Sequence, residues 1–182
     1  ASFHDGFNDP RPGGLHQAVD IGGPMGLSIV STTAGVVIRE WRTHNEHRTI
    51  RPGVALTPSG RGGRWVIVLD QQNFVHYYAH LLDARIAVGE RVTPGRLLGT
   101  LGDSGAAHGH PHLHYQVWNA SNRTQEERAS GIFTGPFGSA VNPYAELVRV
   151  SGVVAGSSGG VVFNPPSRPS HRPHRPHGHA PH

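Results

Sequence analysis

The chain has 182 residues, of which 25 are Gly and 15 are Pro; together they approach twice the usual share of about 12 per cent, which disfavours a helical bundle because both residues break helix interiors. Cys is absent, excluding a disulfide framework and any Cys-ligated zinc site, and no run of about 18 apolar residues exists to span a membrane as a helix. The formal net charge is +4, and all 16 basic residues are Arg, scattered from Arg11 to Arg175; without the clustered basic stripe of a nucleic-acid binder, no nucleic-acid partner is expected.

The chain opens at Ala1-Ser2-Phe3 without a start Met, which is compatible with removal of an export signal. Strands are expected near Leu27–Ser31, Gly35–Trp41, Trp65–Asp70, Phe74–His80, Leu97–Leu101 and His112–Trp118. Each is rich in Val, Ile, Leu or Tyr and bounded by Gly, Pro, Asp or Asn. The linker Gln71-Gln72-Asn73 joins two of them as a hairpin, and Val88–Gly95 is a turn-rich crossing. No window has a long 3.6-residue period. The predicted class is all-β, an antiparallel sheet closed into a barrel-like sandwich. Two segments, Arg42–Arg64 and Asn119–Ala140, are long connections that either wall a binding groove or are plain insertions. Beyond Val150 the chain turns Gly/Ser-rich, then Pro/His/Arg-rich. This predicts one domain over 1–150 and, over 151–182, a flexible linker with a disordered tail.

The 15 His are the unusual feature. Five of them lie in the tail, which has no packed scaffold to fix a coordination geometry. Three patches in the body hold candidate ligands. In His108-Gly109-His110-Pro111-His112-Leu113-His114-Tyr115, strand alternation sends His112 and His114 to one face, with His108 and His110 in the approaching loop. Two imidazoles on one face can share a metal, or one can bind it while the other handles protons. In His16-Gln17-Ala18-Val19-Asp20-Ile21, an imidazole and a carboxylate four apart are either zinc ligands or a loop His beside a turn-capping Asp. In His76-Tyr77-Tyr78-Ala79-His80-Leu81, alternation puts His76, Tyr78 and His80 on one face. His76 reads as a surface residue, and His80 as able to reach a site at the sheet edge.

In chain order these patches read His-x-x-x-Asp, Tyr-Ala-His-Leu and His-Leu-His-Tyr. Together with Asp9-Pro10-Arg11-Pro12-Gly13-Gly14, Pro24-Met25-Gly26, Ala34–Val37, Val88–Val92, Leu98–Gly105 and Val141-Asn142-Pro143-Tyr144, the sequence resembles the lysostaphin-like zinc endopeptidases, which cleave peptide cross-links of bacterial cell walls. The resemblance runs from about Phe7 to Leu147. It implies the duplicated hybrid motif β-fold and one Zn²⁺ with a bound water, held by His16, Asp20 and His114. It also implies that His80 and His112 are the catalytic pair beside that water. Peptidoglycan peptides are the implied substrate, and a secreted or periplasmic location follows from it.

The sequence departs from the family pattern in a few places. Ala18 stands where Gly is usual, and Ile29-Val30-Ser31 replaces the customary Val-x-Ala. No Tyr precedes Tyr77 to assist the oxyanion, which makes Arg11 a candidate for that role by position and charge. A catalytically silent envelope protein, binding cell wall or activating a partner hydrolase, is the alternative function. It should have lost ligands, and all five positions are filled.

Overall fold

The computed structural model describes residues 1–41, 58–130 and 138–151. The predicted linker and tail, apart from Ser151, and residues 42–57 and 131–137 of the two long connections lie outside the described residues. Twelve short strands carry the described fold: β1 (Ser2–Phe3), β2 (Asp9–Arg11), β3 (Gly14–His16), β4 (Val19–Gly22), β5 (Ser28–Val30), β6 (Gly35–Trp41), β7 (Arg64–Asp70), β8 (Phe74–Ala84), β9 (Arg91–Val92), β10 (Leu97–Leu101), β11 (His112–Asn119) and β12 (Ser139–Val141). Three short helices accompany them: α1 (Pro58–Arg61), α2 (Gln125–Ser130) and α3 (Tyr144–Ser151).

The main sheet runs β1-β4-β11-β8-β7-β6-β9, with β10 joining β5 to β8 and β12 added to β11; β2 and β3 form a separate hairpin. Every pairing among the described residues is antiparallel, as the all-β reading expects. The six predicted strands appear within a few residues of their expected limits, and the Gln71-Gln72-Asn73 hairpin joins β7 to β8. In that turn, Asp70 Oδ1 accepts hydrogen bonds from Gln72 N and Phe74 N, both at 2.8 Å, while Asn73 takes φ 66°. An Asp at the turn entry and an Asn in left-handed backbone are a favourable pairing.

The central strands bury both faces, which is why Trp65-Val66-Ile67-Val68 reads as a continuous apolar run. Val66, Val68, Tyr78, Leu113, Tyr115 and Val117 face one core, which Leu147 of α3 completes. Trp65, Ile67, Val75, Tyr77 and Ala79 face the other. Burying each large aliphatic side chain of this kind contributes about 1.5–3 kcal/mol, which concentrates packing energy at β7, β8 and β11 among the described residues. α2 begins with a capping box: Glu127 N donates to Thr124 Oγ1 (3.1 Å) and Thr124 N to Glu127 Oε2 (3.0 Å).

Register shifts interrupt several pairings, and the one between β7 and β8 bears on the site. Arg64 pairs with Leu81 and Val66 with Tyr78, so the one β7 residue between them, Trp65, lies opposite two of β8, Ala79 and His80. The extra residue makes a bulge at His80, whose φ is +64°. Tyr78 and Leu81, three apart, consequently face the same core. The expected common face for His76, Tyr78 and His80 is therefore corrected: the bulge turns His80 over to the face of His112 and His114.

Candidate metal centre

β4 and β11 are neighbours in register, and Asp20 and His114 are direct cross-strand partners. His16 comes from the end of β3, four residues earlier, where the chain turns from the small hairpin into β4. Three atoms converge. His114 Nδ1 lies 3.2 Å from Asp20 Oδ1, His16 Nε2 lies 3.3 Å from Asp20 Oδ1, and His16 Nε2 lies 3.3 Å from His114 Nδ1. Among the described residues this is the one cluster of three potential metal-binding side chains.

The partners of the outward nitrogens allow all three inner atoms to present lone pairs at once. His16 Nδ1–H donates to the Gly6 carbonyl at 3.0 Å, which leaves Nε2 bare. His114 Nε2 reaches Gln116 Oε1 at 3.4 Å, so a proton there frees Nδ1. Lone pairs crowded this closely repel one another unless a cation lies between them. Four-coordinate zinc with donors at about 2.0–2.1 Å places its ligand atoms roughly 3.3–3.4 Å apart, the spacing of this triangle.

Two further imidazoles flank the triangle. The ring centroid of His80 lies 4.8 Å from that of His112 and 5.8 Å from that of His114. His80 Nδ1–H donates to the Ser104 carbonyl at 2.8 Å, and His112 Nδ1–H donates to the His110 carbonyl at 2.7 Å. Both rings thus carry their proton on Nδ1 and keep Nε2 as a free base. His112 Nε2 lies 3.7 Å from Asp20 Oδ1.

The left-handed backbone at His80 costs about 1–3 kcal/mol and needs support from its surroundings. His80 N donates to the Gly62 carbonyl. Ser104 Oγ accepts from Arg64 N and donates to the Leu81 carbonyl. Gly63 and Gly105 let these two segments meet, since a Cβ on either would collide with backbone across the contact.

Burial, reinforced by His114 and His112 nearby, pushes the His80 imidazole down to about 3. Burial also lowers His16, helped by His114 and opposed by Asp20. For Asp20, burial works upward. Hydrogen bonds and charge from His114, then Arg11 and His16, outweigh it and hold the carboxyl well below the usual range. Neutral His16 and His80 rings beside an ionised Asp20 carboxylate match the protonation pattern a cation requires.

All five sequence-derived positions, His16, Asp20, His80, His112 and His114, meet at this site. His108 and His110 lie in the exposed loop before β11, as expected. Arg11 donates from Nη2 to Asp20 Oδ2 at 2.8 Å, a partnership the sequence reading did not foresee. His76 is not the expected surface residue. It is buried on the opposite face, between Tyr115 Oη (2.8 Å) and Asp70 Oδ2 (3.2 Å). Ala18, where the family pattern has Gly, is fully buried. The sequence reading missed the residues that orient the rings: Gly6, Ser104 and His110 through their carbonyls, and Gln116 through its side chain. Only Gln116 left a legible signal, two places after His114 on the same strand face.

Comparison with known proteins adds the family. The model of peptidase family M23 matches residues 14–126, well over half of the chain and inclusive of all five positions. An L-Ala–D-Glu endopeptidase of Bacillus subtilis (strain 168) is 31% identical over 137 residues, covering 68% of this chain and 36% of that protein. Peptidoglycan DD-endopeptidase ShyC of Vibrio cholerae is 31% identical over 101 residues, covering 56% of this chain and 19% of that protein. The matched region is thus about a third or less of the length of these curated relatives. The catalytic domain of the antimicrobial peptidase lysostaphin from Staphylococcus simulans superposes with a TM-score of 0.54 at 19% identity, covering 81% of this chain and 89% of that one. At that identity the likeness shows a shared fold, the same antiparallel β architecture. With the family model spanning the converged His and Asp residues, the chain belongs to peptidase family M23.

Proposed function

We propose that this chain is a zinc-dependent endopeptidase that hydrolyses peptide bonds of bacterial peptidoglycan, in a stem peptide or a cross-bridge. The observation that carries this reading is the triangle of His16 Nε2, Asp20 Oδ1 and His114 Nδ1, at 3.2–3.3 Å, with two imidazoles beside it whose Nε2 atoms are free. M23 peptidases are zinc metallopeptidases, and the donor set here, two neutral imidazoles and one carboxylate, is that of a catalytic zinc site with one position left for water. Bound there, the ion would polarise the scissile carbonyl and make water a nucleophile near neutral pH.

The remaining steps belong to the side chains. His80 or His112 takes the proton of the attacking water at Nε2 and passes it to the leaving amine. The carbonyl partners of their Nδ1–H groups fix the tautomer that makes Nε2 the base. Until it passes that proton on, the protonated ring donates it to the developing oxyanion. Burial keeps the His80 ring unprotonated at neutral pH, so its Nε2 has a lone pair available.

In this reading residues 1–150 form the catalytic unit, 151–182 are a linker and tail, and the chain works in the cell envelope, secreted or periplasmic, where its substrate lies. The silent alternative has no observation in its favour, because both imidazoles and all three donors are in place. The test is metal analysis joined to digestion of purified sacculi, with the released ends read by mass spectrometry. One zinc per chain and new peptide termini, abolished by a chelator, are expected. Zinc-loaded protein that releases no termini would overturn the proposal.

A further inference from the structure

Asp20 has two oxygens, and they live in different surroundings. Oδ1 lies in the triangle, 3.2 Å from His114 Nδ1 and 3.3 Å from His16 Nε2. Oδ2 accepts a hydrogen bond from Arg11 Nη2 at 2.8 Å. A carboxylate can bind a metal through one oxygen or both. A charge-assisted bond to a guanidinium is among the stronger hydrogen bonds available to it. Arg11 therefore competes with the metal for the second oxygen.

The support of Arg11 is independent of β4. Arg11 sits on β2, paired with Gly14 of β3, while Asp9 of β2 pairs with His16. One hairpin thus presents both the His16 ligand and the guanidinium that holds Asp20. Its reversal passes through Gly13 (φ 103°) and Gly14 (φ 134°), backbone that other residues adopt only with strain. The fixed fork of Arg holds its direction better than the flexible ammonium of Lys would. The sequence reading offered Arg11 as an oxyanion partner, but among the described residues its hydrogen bond goes to Asp20, and no hydrogen bond or ion pair links it to His80 or His112.

We infer that Arg11 is a positioning residue that restricts Asp20 to one-oxygen ligation and so keeps a coordination position of the metal open to water and substrate. The inference rests on the zinc reading of the site and goes beyond it by giving a role to a residue outside the ligand and catalytic sets. Were Arg11 absent, Oδ2 could swing onto the metal and fill that position. Binding would survive and turnover would suffer.

The experiment uses cobalt as the probe, because its visible bands weaken as coordination rises from four toward five. Arg11→Ala is expected to hold one cobalt per chain with a weaker, shifted visible spectrum. The zinc form of the same variant should show kcat reduced about 10–100-fold, the usual cost of losing an outer partner of a ligand. Arg11→Lys should recover part of both readouts. The side chain is 48% exposed, so neither substitution threatens the core; circular dichroism checks the fold, and the Lys variant carries the test if the Ala variant misfolds. An unchanged spectrum in folded Arg11→Ala protein, or loss of its cobalt, would overturn the inference. A wild-type chain that takes up no cobalt would overturn it together with the zinc reading. A spectrum that responds to Arg11→Ala in a protein that cleaves no peptide would support the inference and defeat the proposed peptidase activity.

Discussion

The β8–β11 pair carries polar clusters containing histidine on both of its faces, in opposite electrostatic states. On the face away from the candidate centre, His76 uses both ring nitrogens, Nδ1 with Tyr115 Oη and Nε2 with Asp70 Oδ2. The chain continues from Tyr115 Oη to Thr32 Oγ1 and on to Tyr78 Oη, each step 2.8 Å. Asp70 Oδ1 is occupied by two backbone N–H groups. Every polar atom of this row has a protein partner, so it needs no ligand, and its role is to fix the register and packing of β7, β8 and β11. On the other face, His16, His80, His112 and His114 each tie one ring nitrogen to an amide or backbone oxygen, and the second nitrogens of His16 and His114 meet at Asp20 Oδ1. The same residue type on the same strands thus serves structure when its lone pairs are consumed and chemistry when they converge unpaired. Counting His, or finding it on a strand, does not separate these cases.

The largest expected effect tests that contrast directly. Replacing Asp20 or His114 by Ala should remove bound zinc and hydrolysis together, because two donors cannot hold a catalytic zinc at ordinary affinity. His76→Ala, a substitution of equal size on the other face, should leave the metal content at one per chain. Elemental analysis after dialysis gives the result; metal loss in the His76 variant would erase the distinction between the faces. A smaller effect divides the open face itself. His80→Ala and His112→Ala should keep their zinc while hydrolysis falls at least ~10²-fold, the loss typical of a missing acid/base. If His112→Ala lost the metal and His114→Ala kept it, the roles of the two would be exchanged.

Much of this division was legible in the sequence, and the illegible parts have definite causes. His112 and His114 alternate on an ordinary strand, so the period of two put them on one face, and the structure agrees. His80 defied the same rule, because a one-residue bulge with φ +64° reverses every face assignment beyond it, and nothing in Tyr78-Ala79-His80-Leu81 announces a left-handed residue. His76 reads as a surface residue in the sequence because its partners are Asp70 and Tyr115, the latter 39 places away. The strands β1 to β4, β9 and β12 have two to four residues each, too few for a period to register. The triangle itself is reached through the family resemblance, since by spacing alone a loop His16 beside a turn-capping Asp20 is the better reading.

The open face should also respond to pH when the metal is removed. Burial, with His114 and His112 nearby, holds the folded-state affinity of His80 for a proton down to about 3, against 6.5 as its ordinary value. Between these limits the unfolded chain binds the proton and the folded chain does not. Stability of the chelated protein is therefore full above 6.5 and declines as pH falls toward 3, by at most about 1.4 kcal/mol per pH unit for this group. His16, also lowered by burial, adds to the same trend. Asp20, facing both rings, has its carboxyl held down and loses its own contribution only at more acidic pH. Urea unfolding at pH 7 and pH 5 with chelator present should show the decline in wild type and a shallower one in His80→Gln. Equal slopes would mean that the His80 ring is freely protonated in the folded state.

The smallest effect lies on the closed face. Tyr115 Oη joins His76 Nδ1 to Thr32 Oγ1, and Tyr115 is 4% exposed. Tyr115→Phe keeps the ring and its packing but leaves both partners short of one bond, at a cost of about 1–3 kcal/mol. Tyr78 Oη retains Thr32 Oγ1 and Thr32 N, so the damage stays local. Zinc content and turnover should not change, because the lost bonds face away from the centre, and urea unfolding should register the whole effect. A second substitution sharpens the point. Combining Tyr115→Phe with His76→Leu removes both ends of one hydrogen bond, so the double variant should be less destabilised than the sum of the singles. Simple additivity would mean that His76 and Tyr115 act independently. The satisfied row would then not be a unit, and its contrast with the converging lone pairs across the sheet would lose its physical basis.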